Sequence, residues 1–158
     1  MTNFPLTRIG WIIPPIIVNM PSLPLPGPDL CTEAEVTALV HTFYARVRQD
    51  EVLGPIFDAR IADWDHHLTK LVDFWSAILR RTARFSGAPM PKHAALPGLS
   101  LELFERWLGL FEVTLAEQPN RAMADQAWLA ARRIARSLWS GYQMSRDPKA
   151  LPTVVSHV

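Results

Sequence analysis

Four segments of this chain repeat apolar residues every three or four positions, whereas no segment alternates apolar and polar residues with the period of two typical of a half-buried strand. Thr32 and Glu35 form the pattern of a capping box ahead of the first segment, and Asn120 precedes the last as a candidate cap. We therefore predict an all-α domain whose helices pack as two pairs. The predicted helices cover residues 32–48, 63–82, 101–117 and 121–143.

Proline divides the chain into two compositions. Seven of the 14 prolines fall within the first 28 residues, where they favour an extended or polyproline-like backbone. We expect a proline-rich N-terminal extension over residues 1–30, the helical domain over 31–145, and a flexible C-terminal tail over 146–158. Met20 is an alternative start of the natural chain.

Charge and composition exclude several classes of protein. The 16 basic and 15 acidic residues nearly cancel, so the sequence does not favour binding to nucleic acid. The apolar run at residues 10–20 is too short to span a bilayer and is interrupted by two prolines, which argues against a membrane protein. A single cysteine, Cys31, favours a reducing compartment and a cytoplasmic location. No base lies near it in sequence, which argues against a catalytic nucleophile.

The connection between the second and third predicted helices, residues 83–100, is long and rich in helix breakers. It presents His93 between Pro91 and Pro97, an arrangement that suits a single axial metal ligand but is also compatible with an ordinary structural histidine. His67 heads an apolar stripe on the second helix, whereas the adjacent His66 is expected to face solvent. A zinc site built from these histidines is disfavoured, because adjacent helical residues do not face one centre.

Several strings of this sequence resemble the third group of the truncated haemoglobins, in the same order and spacing from about residue 33 to residue 141. These strings are FYARVRQDEVLGPIF (43–57), DWDHHLTKLVDFWSAIL (63–79), GAPMPKHAALP (87–97) and FERWLGLF (104–111). The resemblance implies a truncated globin fold, a two-over-two α-helical sandwich that encloses a b-type haem.

The resemblance also assigns roles to individual residues. His93 matches the proximal histidine that binds the haem iron, and Tyr44, His67 and Trp107 match the side chains of the distal ligand pocket. The further residues implied to contact the haem are Phe57, Lys70, Phe74, Trp75 and Met90, of which Lys70 is suited to a propionate. Two features depart from the family: Phe85 stands where a tyrosine is common, and the proline-rich extension precedes the domain.

The implied function is binding of dioxygen, and also of nitric oxide or carbon monoxide, at iron. Three donors over one haem face favour oxygen-linked redox chemistry, such as nitric oxide dioxygenation or peroxide reduction, and such chemistry requires an electron donor. The alternative from another class is a haem-free helical interaction module that uses the proline-rich extension to bind a partner.

Overall fold

The computed structural model describes residues 22–155, apart from the side chain of Met90, and this part of the chain contains α-helices and no strand. The predicted all-α class is therefore confirmed. None of the helices in this range is long and apolar enough to cross a membrane. In chain order they are α1 (Glu33–Gln49), α2 (Leu53–Asp58), α3 (Trp64–Arg80), α4 (Pro89–Ala94), α5 (Leu101–Ala116) and α6 (Arg121–Arg146).

The two short helices, α2 and α4, were not predicted. In the sequence, Gly54 and Pro55 indicate a turn after the first long helix, and the helix breakers of residues 83–100 indicate a loop without secondary structure. Both interpretations are wrong, because each segment contains a helix of six residues, too short to show an apolar period. Pro89 occupies the first turn of α4, where a missing amide hydrogen costs nothing.

Capping side chains mark the starts of α1 and α6. The capping box at α1 is present: the Glu35 amide donates to Thr32 Oγ1 at 3.2 Å, and the Thr32 amide donates to Glu35 Oε2 at 2.7 Å. Asn120 Oδ1 accepts from the Met123 amide at 3.0 Å and so caps α6. The amide nitrogen of the same Asn120 side chain donates to Glu35 Oε1 and to the carbonyl of Leu30, each at 3.1 Å. The two helix starts therefore share one hydrogen-bond network.

The four long helices form two layers. Helix α1 packs on α3 and α5 packs on α6, and the layers meet where α1 contacts α5 and α3 contacts α6. Aromatic rings fill the space between the layers: Trp75 stacks on Phe111 with ring centroids 5.1 Å apart, and Phe43 meets Phe111 edge-on at 4.8 Å. All three side chains are fully buried.

Residues 24–30 lie across the ends of α3 and α6. The Gly27 amide donates to the carbonyl of Leu79 at 2.9 Å, Arg81 donates to the carbonyl of Pro26, and Gln126 donates to that of Pro24. Residues 1–21 of the predicted extension lie outside the described residues.

The chain after α6 turns back along that helix. Thr153 accepts a hydrogen bond from the indole of Trp139 at 3.1 Å, and its amide donates to Gln143 Oε1 at 2.8 Å. Val155 is buried. Residues 147–155 are thus attached to the outer half of α6, while residues 156–158 lie outside the described part.

Gly54 lies where α2 meets the end of α1, and a side chain there would collide with the backbone. A Cβ atom at position 54 would stand 2.5 Å from the carbonyl oxygen of Arg48. We expect Gly54→Ala to lower the free energy of unfolding by about 1–3 kcal/mol, measured by urea denaturation of the protein.

Gly109 provides the matched control. It lies inside α5, and a Cβ atom there would have no neighbour within 4 Å. Gly109→Ala should therefore raise the free energy of unfolding by about 0.5–1 kcal/mol, since alanine loses less backbone entropy in a helix. Equal stability of the two variants would contradict the packing of α2 on α1 described above.

Asp50 joins α1, α2 and α5. Its side chain is only 9% exposed, pairs with Arg106 at 2.8 Å, and accepts the amide hydrogens of Val52 and Leu53. The hydrogen bond from Arg106, aided by the two amides, holds the pKa of Asp50 below its usual value although burial opposes it.

We expect Asp50→Asn to lower the free energy of unfolding by about 1–2 kcal/mol at pH 7. A carboxylate with a lowered pKa in the folded state stabilises the fold above its unfolded pKa, about 4, and loses that effect as the pH falls through the folded value. The difference between wild type and variant should therefore shrink at acid pH in denaturation curves. Asp29→Asn, an exposed site, should stay within about 0.5 kcal/mol of wild type throughout.

Candidate functional site

A cavity of about 590 Å³ lies between the two helix layers, within the range of pockets that hold cofactors. Every described helix contributes to its wall, and most of the lining side chains are apolar. The lining includes Tyr44, Phe57, His67, Lys70, Phe74, Trp75, Phe85, His93, Trp107 and Leu138. The structure therefore brings all the predicted site residues with described side chains to one cavity.

His93 is the only titratable side chain on its helix besides Lys92, and its ring is held by the backbone. Nδ1 of His93 lies 2.8 Å from the carbonyl oxygen of Pro89. Because a carbonyl oxygen only accepts, Nδ1 is the donor in this contact, and in the neutral tautomer that this contact favours the lone pair is on Nε2. A carbonyl bound to one ring nitrogen in this way orients the imidazole and prepares the other nitrogen to bind a metal ion.

Tyr44 and Trp107 form a hydrogen-bonded pair in the wall formed by α1 and α5. The Tyr44 side chain is buried, and burial raises the pKa of its hydroxyl, while the hydrogen bond with Trp107 acts in the opposite direction. An indole N–H only donates, so the Tyr44 oxygen is the acceptor in this bond. The hydroxyl stays protonated, and its own hydrogen remains free for a further acceptor.

His67 lies beside Tyr44, with ring centroids 6.3 Å apart and the rings perpendicular. The half-buried position lowers the pKa of His67, and the positive charge of Lys70, one turn away, lowers it further. The imidazole is therefore neutral near pH 7, with one nitrogen able to donate and the other to accept. The orientation of His67 toward the interior, inferred from its apolar stripe, agrees with its place in the cavity wall.

Aromatic rings supply the apolar part of the wall. Phe74 meets Trp75 at 5.7 Å and Phe85 at 5.1 Å, both edge-on, and Phe57 lies 6.0 Å from the ring of Tyr44. Phe85 thus contributes a ring without a hydroxyl to the wall. Met90 belongs to α4, but its side chain lies outside the described residues.

The sequence analysis missed two cations of this site. Arg60 and Lys92 line the cavity and are exposed, as Lys70 is, and the exposed His66 also belongs to the rim although it was expected only to face solvent. Arg60 and Lys92 belong to the region around the two helices that periodicity did not reveal. The one feature of the sequence that could have indicated either cation is the position of Lys92 directly before His93.

Two alternatives can be compared with this geometry. Cys31 is buried and does not line the cavity, and burial raises the pKa of its thiol, so it is poorly suited to act as a nucleophile. Among residues 22–155, no group of three or more histidine, cysteine, aspartate or glutamate side chains is placed to hold a metal ion. His93, whose Nδ1 is bound to a backbone carbonyl, is instead suited to serve as one ligand of a planar metal cofactor.

Two helix layers around an apolar cavity, with one backbone-anchored histidine on a short helix and hydrogen-bond donors in another wall, define a globin. The chain belongs to the bacterial-like globin family, whose sequence model matches residues 29–137. The family implies a haem cofactor and a small diatomic ligand.

Within the globins, this chain is similar in sequence and in structure to group 3 truncated haemoglobins. It is 36% identical over 111 residues to a group 3 truncated haemoglobin of Campylobacter jejuni, a match that covers 68% of this chain and 87% of the relative. The crystal structure of a group III truncated haemoglobin from Campylobacter jejuni superposes with a TM-score of 0.67 and 31% identity, covering 77% of this chain and 96% of that one. The predicted resemblance and the truncated globin fold are thereby confirmed.

Proposed function

We propose that this protein binds a b-type haem in the cavity between its helix layers, with His93 as the iron ligand, and that dioxygen, nitric oxide or carbon monoxide binds on the other side of the haem. The observation that carries the proposal is the pairing, across one cavity, of His93 anchored to Pro89 with the donors Tyr44, Trp107 and His67. Membership of the globin family supports it.

The lining of the cavity is chemically suited to a haem. Its aromatic wall matches the apolar faces of a porphyrin, and Phe57, Phe74 and Trp75 are the residues we assign to that contact. We assign Met90 to the same apolar contact. The exposed cations at the rim suit the two propionate groups, with Lys70, Lys92 and Arg60 as candidates. No cysteine is among the described residues that line the cavity, which supports a haem held without the thioether bonds of c-type attachment.

When bound, the haem iron supplies the position at which a diatomic ligand attaches and at which dioxygen gains partial negative charge. The chain then supplies donors to that charge. Because the Tyr44 oxygen accepts a hydrogen bond from Trp107, the hydroxyl hydrogen of Tyr44 is not used in that bond. That hydrogen can be donated to a ligand in the cavity. His67 offers a second N–H, and the dry surroundings strengthen both hydrogen bonds. We infer slow release of dioxygen.

We further propose that the physiological role is redox chemistry rather than oxygen transport. Nitric oxide dioxygenation, NO + O₂ + e⁻ → NO₃⁻, consumes one electron in each cycle, and peroxide reduction, H₂O₂ + 2e⁻ + 2H⁺ → 2H₂O, consumes two. Either reaction requires an electron donor as a partner. Strong hydrogen-bond donors favour such chemistry because they retain dioxygen and polarise an O–O bond.

We assign different roles to the three parts of the chain. We assign haem and ligand binding to the domain over residues 31–145, and treat residues 1–30 as an extension and residues 146–158 as a tail. We place the protein in the cytoplasm, for which the single unpaired cysteine gives support.

Absorption spectroscopy tests the proposal directly. The purified protein, supplied with one equivalent of hemin, should show an intense band at the blue edge of the visible, and the ferrous form should change its spectrum when carbon monoxide or dioxygen is added. A chain that takes up no hemin would contradict the proposal and favour the alternative, a haem-free interaction module that binds partners through its proline-rich extension.

A further inference from the structure

The last turns of α6 lie against the short helix that carries His93. Helix α4 packs on α6, and Leu138, Tyr142 and Arg146 recur at intervals of four residues, which places them on one face of α6. Leu138 lines the cavity as His93 does, and Tyr142 is buried. This face of α6 therefore supports the proximal side of the site.

Arg146 connects that face to the end of α4. Its Nη2 donates to the carbonyl oxygen of Leu96 at 3.1 Å, and its guanidinium lies 5.2 Å from the ring centre of Tyr142. The Leu96 amide in turn donates to the carbonyl of His93 at 3.0 Å. One guanidinium thus holds the carbonyl of Leu96, the residue whose amide closes the turn after His93.

Residues 147–155, which turn back along α6, contact the side chains that surround Arg146. Tyr142 stacks against Trp139 with ring centroids 5.8 Å apart, and Trp139 donates to Thr153 Oγ1. Gln143 also exchanges two hydrogen bonds with the backbone of Thr153, at 2.8 and 3.0 Å. Tyr142, Arg146 and Thr153 lie beyond residue 137, where the match to the family ends. The contacts of Arg146 therefore lie outside the part of the chain that the family model covers.

We propose that Arg146 is a positioning residue for His93, an inference that rests on the proposed function. Six residues are too few for a stable isolated helix, so the orientation of α4 depends on what it packs against. The imidazole moves with the helix because its Nδ1–H is bound to Pro89 of the same turn. By fixing the Leu96 carbonyl, Arg146 would fix the orientation of the His93 imidazole, whose Nε2 would hold the haem iron.

The test compares wild type with Arg146→Ala, Arg146→Lys and Arg133→Ala in the hemin-loaded, full-length protein. Arg133 is an exposed arginine of the same helix that does not line the cavity, so it controls for loss of charge. Three quantities are measured: the iron–histidine stretching band of the ferrous protein by resonance Raman spectroscopy, the rate of hemin transfer to an excess of a haem-free acceptor globin, and hydrogen exchange at the Ala95 and Leu96 amides.

For Arg146→Ala we expect a shifted or broadened iron–histidine band, hemin loss about fivefold faster, and faster exchange at both amides, since one hydrogen bond that orders α4 is gone. Arg146→Lys keeps a cation within reach of the carbonyl and should fall between Arg146→Ala and wild type, whereas Arg133→Ala should match wild type. A wild-type iron–histidine band that is unchanged in Arg146→Ala, together with unchanged hemin loss, overturns the positioning role alone. A wild-type protein without that band overturns the proposed function and this inference with it.

Discussion

His93→Gly should weaken hemin binding by at least about 100-fold and remove the spectrum of an imidazole-bound iron, because the variant deletes the one cavity histidine whose second ring nitrogen is anchored by a backbone carbonyl. Titration of the purified variant with hemin, followed by absorption, measures the change. Adding free imidazole should restore the wild-type spectrum, since the deleted side chain leaves space for the small ligand. Recovery by imidazole would show that the variant has lost its iron-binding side chain but has kept its fold.

His41→Ala is the matched control, because His41 is exposed on α1 and does not line the cavity. It should bind hemin as wild type does. If instead His93→Gly kept the wild-type spectrum, the iron ligand would have to come from His67, the other histidine in the interior wall of the cavity. His67→Ala would then show the loss that we expect for His93→Gly.

The second large effect is expected for dioxygen release from Tyr44→Phe. Removing a hydrogen bond to a charged acceptor costs about 1.5–3 kcal/mol, so dissociation should accelerate roughly 10- to 100-fold in stopped-flow measurements on the ferrous protein. Trp107→Phe should act in the same direction but less strongly, because it removes the donor that orients the Tyr44 hydroxyl and leaves that hydroxyl in place.

Carbon monoxide gives a control within the same variant. It carries less negative charge than dioxygen when bound, so the loss of the Tyr44 hydroxyl should change its release far less than that of dioxygen. Equal acceleration for both gases would indicate a steric or packing effect rather than a lost hydrogen bond. No acceleration for dioxygen would remove Tyr44 from the set of donors.

The long helices could be predicted because each buries one continuous face. In α1 the apolar positions recur over three turns, so the period is visible in Val36, Val40, Phe43 and Val47. Boundaries were less accurate: α3 ends at Arg80 because Arg81 adopts a left-handed conformation with φ of 57°, and α6 continues to Arg146. The interior position of His67 could also be inferred, since helix geometry alone relates it to the apolar stripe below it.

The rest of the site escaped prediction for two physical reasons. Helices α2 and α4 are less than two turns long, so their residues show no period, and the rim cations Arg60 and Lys92 lie in or beside them. Arg146 acts on a backbone carbonyl, which every residue possesses, and such a partner leaves no trace in the sequence. Only the resemblance to a known family could point to haem before the geometry was described.

The network around Asn120 bears on how the domain unfolds. Its side chain connects the first turn of α1, in one layer, to the first turn of α6, in the other, although the residues it joins are 85 positions apart in the chain. The start of either helix therefore cannot fray without depriving the other of a hydrogen-bond partner. We therefore expect the starts of the two helices to open together, so that their first hydrogen-bonded amides exchange in a coupled way.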